Sequence, residues 1–148
     1  MKIEKFDKDN FMQMDSMHDS YATEIKVEDK CLIVVYEKLN ESLLSSNGTP
    51  YYKDKKVTII YEFESFCDAT VYYGENKYLF IDVIGDMKKF MKIIKGCLLR
   101  SNKYAVDSFG ELTLNYALSK MKNGKYQKYK YWGIEINLDV INVTYTWE

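Results

Sequence analysis

At 148 residues, with 47% apolar and 29% charged positions, the chain has the make-up of one soluble globular domain over 1–148, not of a disordered segment. A formal net charge of −1 sets up no overall field toward DNA, RNA or a lipid surface. Cys31, Cys67 and Cys97 are odd in number and widely spaced, which argues against a disulfide framework and fits free thiols in a reducing cytoplasm.

The first 17 residues lack a clear period. Phe11, Met12, Met14 and Met17 suit an arm or short helix packed on a sheet edge. The opening "MKIEKFDKDNF" mixes both charge signs without a hydrophobic h-region, and no apolar run approaches the roughly 20 residues of a membrane helix. A cytoplasmic protein without membrane contact is expected. From Tyr21, apolar and polar residues alternate as in a half-buried strand. The turn "EDK" leads into "CLIVVYEKL", apolar on both faces, and the two form an antiparallel hairpin. Residues 40–54 read as a long loop, with Asn47–Gly48 and the single proline, Pro50.

"KKVTIIYEFESF" returns to strand, and "DATVYY" and "KYLFIDV" pair across "GEN". One helix is predicted over 86–95. Asp86 can N-cap it, Met87, Phe90, Met91 and Ile94 share a stripe, and Gly96 suits the C′ position. "KYAVDS" and "ELTLNYALS" make a third hairpin about "FG". Asn123–Gly124 is a strong hairpin turn, and "YKYWGIEINL" and "INVTYTW" close the chain as strands. The predicted fold is mainly-β α+β: an antiparallel meander of about eight strands, as a sandwich or partial barrel, with one helix.

Three features could carry chemistry. His18, the single histidine, precedes Asp19. A general base is one reading, and a structural corner at the start of a strand is the other. One histidine rules out a multi-imidazole zinc site, and no serine or cysteine stands in a recognisable nucleophile motif. Glu62/Glu64, Asp82/Asp86 and Glu135/Asp139 are paired carboxylates, which can divide acid and base roles or simply line a wet sheet face. No glycine pattern cradles a phosphate, and no cofactor or metal is implied. The segment 120–132 interleaves lysines with aromatics. Lys125, Tyr126, Lys128, Tyr129 and Trp132 could meet an acidic protein or single-stranded nucleic acid, or form a solvated hairpin. It contains no arginine, which weakens the nucleic-acid reading.

"MHDSYATEIKVEDKCLIVVYE" resembles the opening of a loose group of small bacterial β-rich proteins, in which a His-Asp pair precedes a first strand, a tight turn and a second apolar strand. His18, Asp19, Ile25 and the hairpin through Tyr36 carry the likeness over about a quarter of the chain. Some members are grouped with immunity proteins that neutralise a toxin. The resemblance implies a non-enzymatic cytoplasmic binder of another protein and names no toxin. Its alternatives are a small-molecule or sugar binder, or an enzyme, with a tyrosine-lined pocket between sheet and helix, and a single-strand nucleic-acid binder. The sequence specifies no oligomeric state.

Overall fold

The computed structural model describes residues 1–15, 17–38, 56–106 and 111–148. The expected loop over 40–54 and the turn at Phe109–Gly110 lie outside the described residues. The elements are β1 (Lys2–Phe6), a 3-10 turn (Phe11–Gln13), β2 (Tyr21–Glu28), β3 (Cys31–Lys38), β4 (Val57–Tyr73), β5 (Lys77–Asp82), α1 (Met87–Ile94), β6 (Cys97–Val106), β7 (Glu111–Lys122), β8 (Lys125–Gln127) and β9 (Tyr131–Trp147).

All nine strands join one antiparallel sheet, and the sheet closes on itself. β9 pairs with β4, followed in order by β3, β2, β6 and β7, and β7 pairs with β9 again. β4 and β9 are each 17 residues long and hold two partners on their outer edges. Along β4, β3 takes residues 57–62 and β5 takes 68–73. Along β9, β7 takes 133–139 and β1 takes 143–147.

This ring corrects the predicted elements in three places. Two pairs of short strands are single long ones. "KKVTIIYEFESF" runs on into "DATVYY", and "YKYWGIEINL" into "INVTYTW". The run-on in β4 passes through an irregularity between Phe63 and Cys67, where the pairing jumps from Val140 to Leu138. Asp139 holds that bulge, accepting hydrogen bonds from the amides of Ser65 and Phe66 and from the Ser65 hydroxyl. Second, Lys2–Phe6 forms a strand despite its mixed charge, because the end of β9 offers it a full edge. Third, the buried face of α1 is Phe90, Ile93 and Ile94, while Met87 faces outward.

Alternation along the strands sends one residue set inward. Ile59, Tyr61, Ala69 and Val71 of β4 are buried, as are Ile134, Ile136 and Leu138 of β9 and Leu112, Leu114 and Tyr116 of β7. Large aromatics fill the interior. The hydroxyls of Tyr36 and Tyr116 meet at 2.7 Å, and their rings are tilted neighbours. Burial raises both phenols well above their ordinary pKa, so the pair stays neutral.

The ring has a thin seam. β2 and β6 pair only at Tyr21–Arg100 and Ala22–Leu99. Beyond Ala22 the two strands part, and α1 packs beside them with Phe90 fully buried. The Asp86 carboxylate caps the helix through the Lys89 amide, and Gly96, at φ +72°, turns the chain into β6.

Candidate functional site

His18–Asp19 sits at the seam. Met17 and Asp19 both adopt left-handed φ, 55° and 61°, which turns the chain sharply into β2. The Asp19 amide donates to Ser101 O at 2.7 Å, and the Ser101 amide donates to Ser20 O at 2.8 Å. The Asp19 carboxylate takes the Arg100 guanidinium on one oxygen and lies 2.9 Å from His18 Nδ1 with the other. The His18 side chain is 57% exposed. The corner thus continues the β2–β6 pairing, and its imidazole projects into solvent rather than into a pocket.

Five of the six paired carboxylates are engaged by their own surroundings, and Glu64 is exposed on the surface. Glu62 accepts from Asn142, Glu135 from Tyr72 and Asn137, and Asp82 from the Ile84 amide. Asp86 caps α1 and Asp139 holds the bulge. Among the described residues, no group of three or more His, Cys, Asp or Glu could hold a metal ion. No helix among them is long and apolar enough to cross a membrane.

The lysine-aromatic segment divides between surfaces. Asn123 and Gly124, both at positive φ, make the β7–β8 turn. Lys125, Tyr126 and Lys128 lie exposed at and just beyond it. Tyr129 is partly buried, and its hydroxyl donates to Ile93 O at 2.6 Å, which ties the hairpin to the end of α1. Burial, with Cys97 and Tyr131 beside it, pushes the Tyr129 phenol up to about 12, so it remains a donor. Trp132 belongs elsewhere: it stacks on Tyr72 with centroids 5.3 Å apart and donates to Gly74 O.

Tying the hairpin to α1 builds a surface that neither element has alone. Lys120 Nζ reaches Lys95 O at 2.6 Å and lies over the Tyr129 ring, while Lys130 lies over Tyr131. Lys89 and Lys92 of α1 converge with Lys120 and Lys130 around Tyr129 and Tyr131, lining a depression of about 400 Å³. No carboxylate among the described residues lines it. Cations near a helix C-terminus offset the helix dipole, so part of this clustering supports the fold. A depression ringed by four ammonium groups can also take up carboxylates or other anions.

Comparisons with known protein families, curated proteins and solved structures found no match. The functional reading therefore rests on the chemistry of this face. Reading segment 120–132 by itself misses the helix lysines, though a wider count exposes them. Residues 87–134 hold eleven of the chain's 21 Lys and Arg but only two of its 22 Asp and Glu. The net charge of −1 is thus the balance of a strongly basic stretch and an acidic remainder. A tyrosine-lined pocket between sheet and helix is expected from the sequence, and Tyr129 and Tyr131 line the depression beside α1. The interior tyrosines, Tyr36 and Tyr116, are packed against each other.

Proposed function

We propose that the protein is a non-catalytic binding module whose face of α1 and the β7–β8 hairpin docks an acidic protein partner. The observation that carries this reading is the convergence of Lys89, Lys92, Lys120 and Lys130 on Tyr129 and Tyr131. Ammonium groups there meet carboxylates. Exposed Tyr126, beside Lys125 and Lys128, supplies the kind of amphipathic anchor that protein interfaces favour. The partner's charge also raises its rate of encounter. An immunity-like role in the cytoplasm, with a toxin as that partner, rests on the resemblance of the opening hairpin alone.

A protein is favoured over single-stranded nucleic acid because of the chain's one arginine. Arg100 is held by Asp19 at the seam, which leaves the basic face no guanidinium for bidentate phosphate or base contacts.

Fluorescence anisotropy with a labelled glutamate-rich 20-residue peptide, set beside a labelled oligothymidylate, tests the reading. The peptide is expected to bind with an affinity that falls as salt rises. Lys89→Glu with Lys130→Glu should weaken it at least about tenfold, whereas Lys8→Glu, between β1 and the 3-10 turn and outside the lining of the depression, should not. Tighter binding of the oligothymidylate, or no peptide binding at low salt, would defeat the proposal.

A further inference from the structure

The parting of β2 and β6 leaves a second recess, on the other side of α1. It measures about 590 Å³, within the range of small-molecule sites. Ile25 of β2, Met91 of α1 and Leu99 of β6 contribute its apolar wall. Lys88 and Lys92, spaced i and i+4 along one side of the helix, and Lys95 at its C-cap border it with exposed side chains. Glu24 is its one acidic lining residue. An apolar wall edged by three ammonium groups matches one ligand chemistry: a single aliphatic chain that ends in an anion.

We propose that this groove binds a single-chain anionic amphiphile of the fatty-acid class. The chain lies along Ile25, Met91 and Leu99, and the carboxylate rests among Lys88, Lys92 and Lys95. Charge complementarity selects this occupant. A neutral apolar molecule would leave the lysines unused, and a cationic amphiphile would be repelled by them. A wholly acidic peptide would set carboxylates against the aliphatic wall without replacing their water. The groove arises from the seam itself, since continued pairing of β2 with β6 would close it.

Isothermal titration calorimetry with octanoate, decanoate and dodecanoate below their micelle concentrations tests the idea. Affinity should rise about two- to fourfold per added methylene until the groove is filled. Dodecyltrimethylammonium should bind at least about tenfold more weakly than dodecanoate. Lys88→Gln with Lys95→Gln, at exposed positions that leave the fold undisturbed, should cut dodecanoate affinity about tenfold while the chain-length dependence persists. Met91→Glu should abolish binding, and methyl resonances of isotopically labelled methionine should single out Met91 in the native chain. Equal binding of dodecanol and dodecanoate would overturn the proposal in favour of a neutral occupant. Affinity independent of chain length, or an unmoved Met91 resonance, would overturn it outright.

Discussion

Asp139 and Asp15 are two carboxylates whose surroundings drive them in opposite directions. Partial burial works to raise Asp139, but the Ser65 hydroxyl and the amides of Phe66 and Ser65 outweigh it and hold the carboxyl below its ordinary value. A lowered folded-state pKa adds stability above the unfolded value, and that stability is lost as acid protonates the folded carboxylate. Asp139→Ala should therefore cost about 1–2 kcal/mol at pH 7, since it strips the acceptor from the β4 bulge. The deficit should shrink below pH 4 in urea titrations, and a deficit unchanged by acid would show that the bulge does not depend on the ionised form. Asp15 lies between the 3-10 turn and the His18 corner. Burial and the nearby Glu4 raise it to about 6, against a smaller opposing pull from Lys2. Here the sign reverses. Both states are protonated well below pH 4, the unfolded chain loses its proton first as pH rises, and the penalty on the fold therefore grows between about pH 4 and 6 and is complete above that. Asp15→Asn should raise stability at pH 7 by about 1 kcal/mol, after allowance for solvent screening of a half-exposed group. It should change little at pH 3.5. Equal effects at both pH values would show that ionisation of Asp15 is not the cause.

Elements with strong local signals were legible in the sequence, and those decided by distant partners were not. The Tyr21–Tyr36 hairpin, the Asp86 cap, the Asn123–Gly124 turn and the buried face of β7 all follow from periodicity or turn chemistry within a few residues. β1 has no such signal, because Lys2, Ile3, Glu4 and Lys5 become a strand only when the end of β9 supplies their hydrogen bonds. The long β4 reads as two strands in sequence because "ESF" breaks its alternation. The side chain that bridges that break, Asp139, lies more than seventy positions downstream. On α1, Ile93 rather than Met87 is buried, and Ile93 lies beside Tyr129 and Tyr131, a neighbourhood that the helix's own spacing does not reveal. The candidate site was half legible for the same reason. The hairpin lysines stand out in sequence, but their meeting with Lys89 and Lys92 depends on the Tyr129 hydroxyl reaching Ile93 O. That contact also explains why Tyr129 and Trp132, three residues apart, serve different surfaces.

At the scale of the whole molecule, the ring is strong along one side and weak along another. β4 and β9 pair through most of 17 residues, whereas β2 and β6 share two residue pairs and the backbone bonds of the Asp19–Ser101 corner. Regions with few backbone bonds near solvent open at a lower free energy than the core. The seam is also where α1, the groove and the His18–Asp19 corner meet. The amides of Asp19 and Ser101 should consequently exchange with deuterium at least about tenfold faster than those of Val57–Tyr61, once corrected for intrinsic rates. That ratio corresponds to opening about 1.4 kcal/mol more readily. Arg100 grips the Asp19 carboxylate from the β6 side, so Arg100→Ala should speed exchange at the seam while the β4 amides keep their rates. Exchange of seam and β4 amides at one common rate would mean that the ring opens only as a unit, and that the short β2–β6 pairing is as firmly held as the rest.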